Sequence, residues 1–106
     1  MALSLNCFLV GDDLDRTFTV EIKKTKNVNI LKDLIKEKKA PTLNHIAASD
    51  LDLWAAGFEM DALTEELLNN ALDKRKLSAN RKLSFIFNNV VNDDFLHIIV
   101  QAPGTS

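Results

Sequence analysis

Only one cysteine, Cys7, occurs in the 106 residues, so an intramolecular disulfide is excluded and a reduced compartment is the simplest context. Cys7 alternates in phase with Leu3, Leu5 and Leu9, which suits a buried thiol acting as a small hydrophobe, and no local Cys/His pattern supplies a base. Two histidines, His45 and His97, lack metal-ligand neighbours at useful spacing, so neither a metal nor any other cofactor is expected. The three glycines stand apart, and no glycine-rich phosphate loop can be built from them. No apolar run approaches the roughly 20 residues of a membrane-spanning helix. The N-terminus MALSLNCFLVG has neither a basic start nor a small-residue cleavage site, so no conventional signal peptide is visible. The formal net charge of −2 gives no global attraction to nucleic acid.

What is present is ordinary globular patterning, and a chain of this length fits one core. Leu3 to Val10 and Thr17 to Lys23 alternate apolar and polar residues around the polar turn GDDLDR, predicting an antiparallel hairpin. The period then lengthens. Asn27 is a candidate N-cap, with Val28, Leu31, Leu34, Ile35 and Lys38 on one side of a helix and Lys32, Asp33, Lys36 and Glu37 outside; Pro41 ends it. Asp50 to Trp54 alternates as a third strand, with Leu51 and Leu53 inward and Gly57 as its exit bend. Ala62 to Leu72 has helical spacing, Lys74 to Lys82 reads as irregular, and Leu83 to Phe87 fits either a helical turn or a strand. In the last strand, FLHIIVQA, Leu96, Ile98 and Val100 point inward and Phe95, His97, Ile99 and Gln101 outward.

Hairpin, helix, strand, short helical connection and strand predict an α+β fold of the ubiquitin-like β-grasp type. A mixed four- to five-stranded sheet covers one main helix, with a helical insertion before the last strand.

The segments SLNCFLVGDD, FTVEI, LKDLIKEKKAP, LDLW and LHIIVQAP, in this order and spacing, resemble the N-terminal domain of Crinkler effectors, most closely the fungal branch. The resemblance runs from about Leu3 to Pro103. It implies a ubiquitin-like header, residues 1–103, joined by a linker stub at 104–106 to a C-terminal effector domain outside this sequence. It also implies secretion or delivery into a host cell, with the host nucleus as a destination, and a role in trafficking or protein–protein interaction without catalysis. The alternative is a ubiquitin-like adaptor or self-association module with no export role. The oomycete header carries Leu-x-Leu-Phe-Leu-Ala-Lys, linked to translocation. Its counterpart here is Leu51, Asp52, Leu53, Trp54, Ala55, Ala56 and Gly57, which lacks the third leucine and the lysine.

Three surfaces are expected to matter. Trp54, His97 and Ile99 fall on the outer phase of the third and last strands and form a candidate protein-binding patch, unless the segment from Met60 to Val91 folds back over Trp54. Lys74, Arg75, Lys76, Arg81 and Lys82 form a candidate nuclear-import or anionic-surface signal, against the plainer reading of a solvated loop. Lysines from Lys23 to Lys39 oppose an acidic stretch from Asp50 to Asp73, so head-to-tail self-association is a further expectation; nucleic acid is a poor fit, because few aromatics interleave with the basic residues. Asp12, Asp13 and Asp15 read as a solvated turn rather than a cation site, and the end Ala102-Pro103-Gly104-Thr105-Ser106 lacks the Gly-Gly tail of a conjugated modifier.

Overall fold

The computed structural model describes residues 2–87 and 94–103. The expected linker stub at 104–106 and most of the polar stretch NNVVNDD lie outside the described residues. Four strands form one mixed sheet in the order β2-β1-β4-β3. They are β1 (Ala2–Leu9), β2 (Phe18–Lys23), β3 (Asp52–Glu59) and β4 (Phe95–Gln101).

The alternating strands pair as a hairpin, with Leu5 opposite Val20 and Cys7 opposite Phe18. Gly11 sits in the turn at φ 104°, a left-handed conformation that suits glycine. The turn is tied to the rest of the fold by Asp12, whose carboxylate accepts from Lys39 Nζ at 2.8 Å. The same ammonium lies 5.3 Å from the centre of the Phe18 ring. Asp13 lies 3.7 Å from Arg16 Nε within the same turn.

Helix α1 (Val28–Lys38) begins where Asn27 accepts from the Ile30 amide at 3.1 Å, and Lys36 and Lys38 sit in its last turn, where cations favour the helix dipole. Val28, Leu31 and Ile35 face the sheet. Lys32, expected outside, is instead buried, at 7% exposure. The first core fills the space between α1 and the sheet with Leu3, Leu5, Cys7, Val20, Ile22, Leu51, Leu53, Ile98 and Val100, closed by Leu43 and Leu83.

The second sheet face is not bare. Helix α2 (Glu65–Leu72), capped by Thr64 through the Leu67 amide, lays Leu68 and Ala71 over Phe8, Trp54, Leu96 and Ile99. The short helix α3 (Leu83–Ile86) buries Leu83 in the first core. The molecule is therefore three layers thick, α1 on one side of the sheet and α2 on the other.

The third strand is longer than expected. It runs through Gly57 to Glu59, and its register against β4 shifts between Ala55, opposite Ile98, and Phe58, opposite Leu96. Three residues of β3 thus span two of β4, the signature of a β-bulge, and Gly57 belongs to that irregularity rather than to an exit turn. Trp54, Ala56 and Phe58 keep one phase along β3, so the break in alternation falls on β4: Leu96, opposite Phe58, joins Ile99 on the α2 face and not Ile98 and Val100.

Candidate functional site

The expected patch of Trp54, His97 and Ile99 does not form a surface. All three are buried. Trp54 lies beneath α2, and its indole Nε1 donates to the Lys74 carbonyl at 3.0 Å, so the chain leaving α2 is pinned over it. Ile99 fills the same cluster. His97 Nδ1 accepts from the Asn6 amide at 2.9 Å, and its ring meets Phe87 edge-on at 6.2 Å. Asn6 adds a bond from its side-chain amide to the Phe95 carbonyl and accepts from the Thr19 hydroxyl. These contacts join β2, β1 and the start of β4 and are structural. The reason for the burial is the return of the chain after Met60, which the phases of two strands do not encode.

The segment Leu51 to Gly57 is likewise part of the scaffold. Leu51, Leu53 and Trp54 are buried, Asp52 is half-buried and pairs with Lys76 at 3.5 Å, Ala56 is half-buried, and Ala55 and Gly57 are exposed.

The basic residues, by contrast, gather around an unanticipated aromatic. Phe85 is 73% exposed, the most solvent-open large hydrophobic side chain described. It lines two adjoining grooves that also share Ser78 and Arg81, one completed by Asn80 and Lys82 and the other by Arg75, Lys76, Leu77 and Ile86. The sequence-predicted cluster is thus brought together by the fold, with Lys74 at its start fixed through its carbonyl to Trp54. Among the described residues, Arg75, Arg81 and Lys82 have no carboxylate at ion-pair distance.

The backbone explains why this loop has a fixed shape. Leu77 N donates to the Leu53 carbonyl at 2.8 Å, on the sheet edge. The Ala79 and Arg81 carbonyls accept from Asn29 and Val28, two amides at the α1 N-terminus that lack partners within the helix. Leu83 and Ser84 donate to the Lys26 and Lys24 carbonyls. The positive residues therefore ride on a segment clamped at both ends, and the amphipathic segment LSFIF turns Leu83 inward while leaving Phe85 in water. The signal for Phe85 was present in that spacing, but it becomes readable only once Leu83 is known to be the buried anchor.

Cys7 offers no reactivity here: burial pushes its thiol up to about 12, so the nucleophilic thiolate is suppressed.

Comparison with known proteins agrees with this architecture. Solved structures similar to the chain include the C-terminal ubiquitin-like domain of mouse tubulin-specific chaperone e, with a TM-score of 0.55, 16% identity, and 99% of this chain and 90% of that one covered. At that identity the likeness concerns the fold, which is ubiquitin-like. Crinkler effector protein 1 of Rhizophagus irregularis, a fungus, is 33% identical over 104 residues, covering 97% of this chain. The chain spans only 22% of the length of that relative. The family profile of the Crinkler effector protein N-terminal domain matches residues 3–101. The chain belongs to the Crinkler effector N-terminal domain family.

Proposed function

We propose that this domain is the non-catalytic N-terminal module of a Crinkler-type effector, serving delivery into a host cell and the protein contacts that delivery requires. The observation that carries this reading is the family match over residues 3–101, on a chain that corresponds to 22% of a fungal effector relative. The chemistry of the fold is consistent with it. Both sheet faces are roofed and the thiol is held protonated. Leu51 to Gly57 contributes to delivery by building the fold rather than as a linear signal, because its larger side chains are buried. Lys74, Arg75, Lys76, Arg81 and Lys82 serve nuclear accumulation after entry.

The test fuses the domain to one fragment of a split fluorescent protein, with the complementary fragment expressed in the nucleus of recipient cells. Fluorescence above that of an unrelated ubiquitin-like domain of equal size supports delivery, and its loss on replacing the five basic residues by alanine supports nuclear accumulation. Signal no greater than the control overturns the reading.

A further inference from the structure

The surface carries two patches that complement each other. The first is Phe85 with its rim of Arg75, Lys76, Arg81 and Lys82. The second is a groove of about 330 Å³ lined by Glu59, Met60, Asp61, Asp94 and Phe95, where β3 and β4 meet at one end of the sheet. Its floor combines two half-buried apolar side chains, Met60 and Phe95, with the exposed carboxylates of Glu59, Asp61 and Asp94. An exposed aromatic rimmed by cations on one patch thus has its charge complement in the other, a mainly polar groove in which Met60 and Phe95 lie among carboxylates. The two share no residue, and Glu59 and Asp61 on the groove and Arg81 and Lys82 on the patch are exposed.

We infer that the domain self-associates, Phe85 of one copy entering the Glu59–Asp61 groove of a second copy, with Arg81 and Lys82 against its carboxylates. A central aromatic anchor supplies the binding energy and the charged rim supplies register and encounter rate. Both halves lie on the same chain, so the contact forms either reciprocally in a two-fold dimer or head to tail in a longer assembly. A nucleic acid fits less well: the overall charge is −2, one aromatic stands in the patch, and the acidic groove at the β3–β4 end would repel phosphates. This assembly stands independently of delivery.

The experiment is sedimentation velocity on the full chain over a concentration series in low and high salt. The apparent mass should rise with concentration, and less so in high salt, where the screening length falls from roughly 10 Å at 0.1 M to about 3 Å at 1 M. Phe85→Ser, which keeps every charge, should weaken association at least about tenfold. The decisive measurement uses two charge-reversed variants, Arg81→Glu/Lys82→Glu and Glu59→Lys/Asp61→Lys. Each alone should be monomeric, and an equimolar mixture should associate, because the reversed patch of one variant meets the reversed groove of the other, and the unchanged patch meets the unchanged groove. All substituted side chains except the Phe85 ring are charged and exposed, and circular dichroism confirms that the variants fold. A wild-type chain that stays monomeric throughout overturns the inference. So do variants that associate like wild type, a mixture that stays monomeric, or mass gained only when an oligonucleotide is added.

Discussion

Replacing Trp54 by phenylalanine tests the placement of α2 over the second sheet face. The indole is buried at 5% exposure and donates to the Lys74 carbonyl at 3.0 Å. Phenylalanine keeps the apolar contact with Phe8, Leu68 and Ile99 but removes the donor and part of the ring. The lost hydrogen bond costs about 1 kcal/mol, the Lys74 carbonyl being near enough to the surface to find water. The missing ring volume costs roughly another 1–2 kcal/mol, a fraction of the 3–5 typical of truncating a buried aromatic to alanine. A total of about 2–3 kcal/mol is a large share of the 5–15 expected for a domain. Urea unfolding should be followed by far-ultraviolet circular dichroism, because the substitution removes the only tryptophan. With a slope of about 1–3 kcal/mol per molar, the midpoint should fall by roughly 0.7–3 M. In the wild type, native tryptophan fluorescence should resist acrylamide quenching until the chain unfolds. A loss under about 0.5 kcal/mol, the scale of an ordinary surface change, together with ready quenching in the native state, would refute the roofed arrangement.

Three further outcomes follow from other parts of the fold. Cys7 should resist alkylation at pH 8 until urea is added; above pH 9.0 the unfolded chain releases a thiol proton that the folded chain keeps up to about 12, so stability falls with rising pH. The wild type minus Cys7→Val difference in unfolding free energy should shrink by about 1.4 kcal/mol per unit across that window, and a flat difference would contradict the burial. Gly57→Ala should leave the melting temperature unchanged or slightly raised, because a Cβ there meets nothing within 4 Å, whereas Gly11→Ala should cost about 1–2 kcal/mol at its left-handed φ; equal effects at the two sites would refute the turn assignment. A double-mutant cycle of Asp12→Asn and Lys39→Met should give a coupling of about 1 kcal/mol that weakens in salt, and a zero coupling would show that the hairpin turn is not tied to the end of α1.

The periodicities of 2 and 3.6 made much of the first core legible. Leu3, Leu5, Cys7, Val20, Ile22, Val28, Leu31 and Ile35 pack where their phases put them, because one alternating strand face and one helix stripe each have a single way to be buried. The second face was harder to read. Phe8, Trp54 and Ile99 carry the outward phase, and strand alternation alone left open whether that face is a surface or is covered; the docking of α2, a tertiary event, buries it. Leu96 and Gly57 show a different limit. A bulge adds one residue to β3 while Trp54, Ala56 and Phe58 keep their phase, so the alternation breaks on β4, and nothing in FLHIIVQ marks where it does. His97 was misread for a third reason: its imidazole works as a backbone acceptor for Asn6, a contact 91 positions distant in sequence. The basic residues were identifiable as a group, but their convergence on Phe85 depends on a loop with no periodicity.

That loop's backbone bonds have a thermodynamic consequence for whatever it meets. Long basic loops usually give up conformational freedom when they bind, which subtracts from affinity. Between Leu77 and Ser84 that freedom has already been surrendered on folding, to Leu53, to the first two amides of α1, and to the Lys24 and Lys26 carbonyls. A ligand therefore orders mainly the tips of the arginine and lysine side chains. The coupling also runs the other way: peeling the loop off would uncover Val28 and Asn29 at the start of α1, so the exchange rate of those two amide hydrogens is a direct gauge of how often this surface comes undone.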